Sequence, residues 1–443
     1  MEKNDEIQLN IDSLGAFGEG VGRVEGKTVF VKGALPSERV TAKVIFNKPS
    51  FCHAKLLARE NSSPDRVEPR CPLFLKCGGC NVQHLRYGKQ LEFKRKLVFD
   101  ALQRIGKLDA HVNECVASEK IWGYRNKMSL PVRREKGVTK IGLFAENSHR
   151  VVEVKDCLLQ PKWNAKIISL LSDYIDSSRY RAYDEESGKG EIRHIVVRET
   201  SGCLFVTLVT TKAIEIKGFL ARLNAEFKSF ALYQNVNDKK NNVILGDIWR
   251  YEGGKNVPED VEGYKFSIHP GGFFQVNDGV RKALYQAVED AVKESGADVV
   301  VDAYSGAGLL TARLKESAKR AYGIEINRNA HESALRLVKD NGLTDVFPIL
   351  GDVKDEIGAV FDKEEGNSVF VVLDPPRAGC DEAVLRAILA AKPARIAYVS
   401  CNPATLARDL GALAGEYEIL SVTPFDMFPH TSQVETVVLM TKK

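Results

Sequence analysis

Runs of apolar residues change their period twice along the chain and divide it into three stretches. Between Ile7 and Glu60, short β-rich runs (Ile7–Ile11, Gly15–Arg23, Lys27–Val31 and Glu38–Val44) alternate with glycine-bearing turns, the pattern of a small barrel. Farther on, Tyr87–Leu102 places Leu91, Lys94, Val98 and Leu102 near one face with basic residues between them. That predicts an amphipathic helix ending near Gly106, packed as a core helix with a solvated basic side. Strands predicted at Lys140–Phe144, His149–Val152, Ile192–Arg198 and Leu204–Val209 make residues 61–265 a β-rich central domain. From 266 to 443 buried strands alternate with helices, as in a doubly wound, Rossmann-like sheet. The chain therefore reads as a multidomain α/β protein: a small β-barrel (1–60), a central β-rich domain (61–265) and a Rossmann-like domain (266–443).

Composition narrows the class without naming a function. With 44% hydrophobic and 28% charged residues the chain has the make-up of a soluble globular protein. No apolar run reaches membrane-spanning length and Met1–Asp5 lacks a secretory pattern, so a cytoplasmic protein is expected. A formal charge of +4 allows nucleic-acid binding only through local patches. Lys43, Lys48, Lys55, Arg59 and Arg66 are candidates to track phosphates, with Phe17 or Phe46 as a stacking surface. The segment Trp122–Met128 with Arg133 and Arg134 is a second aromatic and basic surface, suited to a splayed RNA strand.

Nine cysteines is an odd number, and three of them fall within ten residues. This suits a metal site in a reducing compartment better than a disulfide framework. Cys71, Cys77 and Cys80 form a C-x5-C-x2-C run in which Gly78 and Gly79 let the backbone fold tightly. Their thiolates would repel one another without a metal to neutralise them. Cys157 is the best-placed fourth thiol, His84 the alternative for zinc, and spacing leaves zinc and iron–sulfur both open.

The third stretch carries the chemistry. Val299–Asp302 runs into Ala303-Tyr304-Ser305-Gly306-Ala307-Gly308, a glycine turn that lets backbone approach a ligand. Glu325 ends the next strand, where an acid accepts hydrogen bonds from ribose hydroxyls. A nicotinamide dinucleotide would want a third glycine, whereas this motif stops after two and is followed by Asp374-Pro375-Pro376-Arg377, typical of S-adenosylmethionine enzymes. Cys401 follows the run Ala397–Ser400 and precedes Asn402-Pro403, the end of a strand where such folds place their ligands. Gln275 lies in Phe273-Phe274-Gln275-Val276-Asn277, and Glu435 in an alternating run from His430 to Met440.

Together, Gln275 in its setting, Asp302–Gly308, Glu325, Asp374–Arg377, Ser400–Pro403 and His430–Glu435 resemble the RNA uracil-5-methyltransferases. The glycine-rich start with Gly33–Glu38 resembles the TRAM domain, which implies an OB-like RNA-binding barrel over 1–60, so the likeness covers nearly the whole chain. It implies methylation of carbon 5 of a uridine in RNA, 23S rRNA in preference to tRNA, by a cytoplasmic monomer. Carbon 5 of uracil is too weak a nucleophile unaided; a thiolate adding reversibly to carbon 6 activates it. The resemblance assigns that nucleophile to Cys401 and the base that removes the carbon-5 proton to Glu435. It assigns S-adenosylmethionine to Gln275, Tyr304, Glu325 and Asp374, with Gln275 and Asp374 also near the base, and a [4Fe-4S] cluster to Cys71, Cys77, Cys80 and Cys157. Ser305 stands where some relatives carry cysteine, Cys380 has no assigned role, and Cys52, Cys115 and Cys203 read as packing residues. The competing readings are a cytosine-5 enzyme, an amino-group methyltransferase without a covalent step, and an RNA-binding protein with an inactive cofactor fold.

Overall fold

The computed structural model describes every residue of the chain except Glu259 and Ser267. Three sheets account for the three periodicities. The first has six strands in the order Glu6–Asn10, Arg39–Asn47, Phe51–Arg59, Lys27–Lys32, Gly20–Val24, Ser13–Leu14. It curls around Leu9, Val29, Val31, Val40, Ala42 and Val44, with Cys52 fully buried among them as a packing residue. Curling brings the chain after Asn10 against Gly20–Val24, where Asp12 N–H donates to the Val21 carbonyl at 2.8 Å. A Cβ on Gly22 would lie 2.1 Å from the Asn10 carbonyl oxygen, so only glycine permits that approach.

The central sheet has seven strands: Ile248–Lys255, Phe230–Val236, Cys203–Thr210, Ile192–Thr200, Lys127–Glu135, Val138–Phe144 and Val151–Glu153. Alternation along Lys127–Glu135 sends Met128, Leu130 and Val132 under the helices Trp163–Ser177 and Lys217–Glu226. The opposite face of the same strand looks across a cleft at the third sheet.

That third sheet also has seven strands: Val346–Leu350, Arg320–Glu325, Val299–Asp302, Val369–Leu373, Arg395–Ser400, Glu435–Lys442 and Tyr417–Phe425. The first five are parallel, and Glu435–Lys442 enters antiparallel between Arg395–Ser400 and the edge. This departs from the all-parallel dinucleotide order, and it puts the start of the chain's last strand beside the carboxyl ends of the others. Alternate residues of the central strands are buried on both faces: Val299 and Val301 on one side, Val300 and Val372 on the other. Helix Asp278–Ser295 covers the second side; Val353–Lys363, Glu382–Ala391 and Pro403–Leu413 cover the first.

Helix Tyr87–Ala101 is a core helix, as its pattern predicts, but it packs on the third sheet: Val98 and the following Leu102 are buried with Leu406 and Leu410. Lys94, on the predicted apolar face, is itself fully buried, paired with Asp426. Strand boundaries shift by a few residues from expectation; His430–Val434 is loop, and the strand begins at Glu435 itself. Among the described residues no helix is long and apolar enough to cross a membrane.

Candidate active site

One cavity of about 830 Å³ occupies the cleft between the central and third sheets. All six residues expected to handle cofactor and base line it: Gln275, Tyr304, Glu325, Asp374, Cys401 and Glu435. So do Cys71, Cys77, Cys80 and Cys157, at its central-sheet end.

The cofactor side is built from strand ends. After Asp302 the chain turns through Gly306 and Gly308, whose φ angles of 56° and 83° favour glycine. A Cβ on Gly308 would also meet the Ala334 Cβ at 2.9 Å, whereas one on Gly306 would face open space. The Glu325 carboxylate is oriented by two backbone donors, Gly306 N–H to Oε2 at 2.9 Å and Asn327 N–H to Oε1 at 2.6 Å. Beneath the turn, Asp302 is held by the Thr311 hydroxyl at 2.6 Å, and burial raises its pKa to about 6. Burial and the charge of Asp302 together push Asp374 up to about 7.

Cys401 sits between a strand end and a helix start. Asn402 caps helix Pro403–Leu413 by accepting from Ala404 N–H at 3.1 Å, with Pro403 in the first turn. The Asn402 side-chain N–H₂ donates to the Arg377 carbonyl at 3.0 Å, fastening the thiol's loop to the Asp-Pro-Pro-Arg loop. A helix N-terminus would lower the thiol pKa, but burial and the Glu435 charge prevail and raise it to about 11, against a lowering from Arg377. Glu435 is 4% exposed, and burial, then Asp374, lift its carboxyl to about 8, again opposed by Arg377. Asp374, Cys401 and Glu435 are therefore all held near neutrality or above it, with Arg377 as the cation that favours the ionised forms of Cys401 and Glu435.

Several supports went unmarked in the sequence. Lys94 and the Tyr87 hydroxyl both bond Asp426, and Lys94 also donates to the Phe428 carbonyl at 3.0 Å, anchoring the loop that leads to Glu435. His430, with φ of 69°, stacks on Trp122 at 3.8 Å, and Arg70 lies over Trp122 at 5.0 Å. Asn81 bonds the same loop. Cys380 is buried beside the Tyr304 and Tyr398 hydroxyls, and its N–H donates to Asp409 at 2.8 Å; it supports the site from below. Only Lys94 gave a warning, a charge at an apolar position.

Two expectations need correction. Arg66 does not offer its charge to RNA: its guanidinium grips Glu38 (Nη2 to Oε2, 2.8 Å) and the Gly33 carbonyl, and Arg59 approaches the same carboxylate at 3.7 Å. His84 does not join the thiols. It is buried against Phe74, and the charges that act on it belong to Arg66, Glu38 and Arg59. Phe17 and Phe46 are exposed as a stacking surface requires.

The sequence profile of the tRNA (Uracil-5-)-methyltransferase family matches residues 87–443, and that of the TRAM domain residues 2–57. The chain belongs to the tRNA (uracil-5-)-methyltransferase family. Among its relatives is an uncharacterized RNA methyltransferase of Clostridium acetobutylicum, 41% identical over 99% of this chain and 98% of that one. Another, from Halalkalibacterium halodurans, is 38% identical over 100% and 98%. The crystal structure of Pyrococcus abyssi tRNA (uracil-54, C5)-methyltransferase with S-adenosyl-L-homocysteine matches 98% of this chain and 99% of that one, with a TM-score of 0.78 and 29% identity. The protein is an RNA methyltransferase with an N-terminal TRAM domain and an S-adenosylmethionine-binding fold.

Proposed function

We propose that this methyltransferase modifies carbon 5 of a uridine in RNA through a covalent bond between Cys401 and carbon 6. What carries the reading is the convergence of Cys401, Glu435 and Asp374 on one cavity with the Glu325–Gly306 turn. S-adenosylmethionine, held by Gln275, Tyr304, Glu325 and Asp374, supplies an electrophilic methyl group.

The Cys401 thiol gives up its proton to a neighbouring carboxylate or to solvent, and the thiolate's electron pair forms the sulfur–carbon 6 bond. The carbon 5–carbon 6 π pair becomes an enolate, stabilised by donors such as the Gln275 amide and a protonated Asp374. Once carbon 5 is methylated, Glu435 takes its remaining proton, the double bond reforms and the Cys401–carbon 6 bond breaks with its pair returning to sulfur. A carboxyl at about 8 is a stronger base than an ordinary glutamate, which suits this step. For the base to reach Cys401 it must leave its stack. An amino-group methyltransferase has no use for a thiol facing a high-pKa glutamate.

Cys71, Cys77, Cys80 and Cys157 are read as ligands of a [4Fe-4S] cluster. They line one end of the cavity, and Cys80 and Cys157 are close enough to the others that neighbouring thiolate charge adds to burial in raising their pKa values, Cys80 to about 12. Among the described residues no group of three or more His, Cys, Asp or Glu side chains is placed to hold a metal ion. The cluster reading rests on residue type and location, four cysteines at one end of the cavity being the ligand set a [4Fe-4S] centre takes. Methyl transfer consumes no electron, so the cluster's role would be structural.

The target lies in 23S rRNA or in tRNA. The TRAM module inclines the sequence reading towards 23S rRNA, but the Pyrococcus protein, named for tRNA uracil-54, matches this chain over the TRAM region as well, which gives the tRNA reading its own support. We place the enzyme in the cytoplasm, acting as a monomer. The decisive assay is incubation with cofactor and RNA containing 5-fluorouridine, whose fluorine cannot leave as a proton. An adduct stable to denaturing gels and absent in Cys401→Ala is expected; none with the intact enzyme would sink the mechanism.

A further inference from the structure

Arg125 and Lys127 line the same cavity as Gln275, and Arg198, in a smaller neighbouring pocket, stands behind them; among the described residues none of the three has a salt-bridge partner. Lys127 and Arg198 are directly opposed across neighbouring antiparallel strands, so their side chains share one face of the central sheet, with Lys127 at the cavity. Arg125, two residues from Lys127, forms an isolated bridge with Asn277 and also lines the cavity. Like charges placed opposite one another destabilise a sheet, and burial compounds the cost. Burial and the charges of Arg198 and Arg125 drag the Lys127 ammonium down to about 8. Arg198 is 3% exposed, and among the described residues two of its guanidinium nitrogens, Nε and Nη1, have no partner.

Among the described residues no carboxylate neutralises the group. Asp278, whose charge reaches Arg198, bonds Asn126 at 3.0 Å and Arg281 at 3.3 Å instead. Arg125 donates to the Lys127 carbonyl at 3.2 Å and Arg198 to the Gly272 carbonyl at 2.6 Å, contacts that fix position without cancelling charge. The cluster is bolted to the base-reading segment: Asn126 N–H donates to the Val276 carbonyl at 2.8 Å, and its side chain to the Gln275 carbonyl at 3.0 Å. A set of cations kept together against their own repulsion, next to Gln275, is built for an anion.

We propose that Arg125 and Lys127, backed by Arg198, form a phosphate subsite that holds a phosphodiester of the RNA strand next to the uridine delivered to Cys401. The inference rests on the reading that a single strand enters this cavity. The carboxylate of a bound cofactor offers the same anion chemistry, so the test must separate the two. Gripping the adjacent phosphate would fix the strand's register and offset part of the energy of unstacking the base.

The variants are Lys127→Met, which keeps the volume, and Arg125→Gln. The probe is a single-stranded RNA of about ten nucleotides with one uridine, its affinity measured by anisotropy between about 50 and 200 mM salt. For each variant the slope of log affinity against log salt should become shallower by about 0.7, the value of one phosphate contact on a single strand. Affinity should fall several-fold at the low-salt end, while S-adenosylhomocysteine affinity stays within twofold of wild type. Neutral methylphosphonate linkages flanking the uridine should weaken binding to wild type and leave Lys127→Met unaffected.

Lys127→Met should also melt above wild type, because the substitution removes a buried like charge; a lower melting temperature would contradict the view that the cation is kept against stability. Unchanged salt slopes, loss of S-adenosylhomocysteine affinity in place of RNA affinity, or a wild type without salt-dependent binding would each overturn the proposal. None of these measurements uses methyl transfer, so they remain decisive if the uridine-5 reading fails.

Discussion

Asn81 and Ser432 hydrogen-bond each other in both directions: Ser432 N–H donates to Asn81 Oδ1 at 2.8 Å, and Asn81 Nδ2 donates to the Ser432 hydroxyl at 3.0 Å. The same Nδ2 reaches the Phe17 carbonyl at 2.7 Å, and the Asn81 and Val82 N–H groups converge on the His430 carbonyl at 3.2 and 3.1 Å. One residue beyond Cys80 thus joins the TRAM domain, the thiol loop and the loop that ends at Glu435.

Asn81→Ala removes every side-chain bond of this junction while leaving the chain free to fold. A stability loss of about 1–3 kcal/mol is expected. Because the loop bears on Glu435 and not on the cofactor turn, release of the covalent intermediate should slow while S-adenosylhomocysteine affinity holds. Rapid-quench measurement of adduct formation and decay distinguishes the two. Equal slowing of both would mean that Asn81 serves stability alone.

Glu435→Gln should leave methylated RNA bound to Cys401, since the proposed mechanism gives the carbon-5 proton to Glu435; free turnover would remove Glu435 as the base. The same variant carries a pH signature. The wild-type carboxyl has its pKa raised from an ordinary 4.5 to about 8 by burial, so between those values the folded state binds more protons than the unfolded one. Stability therefore falls as pH rises through that window, by up to about 1.4 kcal/mol per unit, and levels off above it. Glutamine cannot ionise. Its melting temperature should exceed that of wild type by a margin that grows from pH 5 to about 8. A margin independent of pH would place the titration elsewhere.

What the sequence made legible follows from how local each signal is. Cys401, Asp374 and Glu325 lie at ends of strands whose apolar runs are continuous, and Gly306 and Gly308 mark the turn, so the cofactor side could be read off short windows. Nothing in the alternating run around Glu435 marks that position as buried, because its burial comes from an antiparallel insertion between two distant segments. Helix Tyr87–Ala101 was correctly a core helix, yet nothing within it says that its core is formed by Leu406 and Leu410. Arg66 and Arg125 look alike in sequence. Only tertiary placement shows that Glu38 neutralises one and that no described acid pairs with the other.

The buried pair of Lys94 and Asp426 is a second anchor for the Glu435 loop, and its energetics are asymmetric. Both side chains are fully buried, so Lys94→Met leaves the Asp426 charge without its counter-ion, with only the Tyr87 hydroxyl still donating to it, and should destabilise by about 3–5 kcal/mol. Lys94→Met with Asp426→Leu removes both charges and should recover much of that loss. Thermal unfolding of the two single variants and the double gives the coupling. If the double is as unstable as the sum of the singles, the pair is not a unit.

The thiol cluster makes the last prediction, one that separates three outcomes by composition before any activity is measured. Protein purified without oxygen should carry about four irons and absorb broadly in the visible, as expected for a [4Fe-4S] centre with four cysteine ligands. Cys157 arrives from the loop between Val151–Glu153 and helix Trp163–Ser177, whereas the other three share one short segment. Its N–H donates to the Asn164 side-chain oxygen at 2.9 Å, so the site is closed by a residue held from a different element. Cys157→Ser should therefore lose the visible band and loosen Cys71–Cys80 from the central sheet, measured as faster amide exchange in that segment. Because Asn81 follows Cys80 directly, exchange should also quicken in His430–Ser432. One zinc per chain would refute the cluster, and a metal-free protein with unchanged exchange in both segments would show that four thiols alone fold this corner of the cavity.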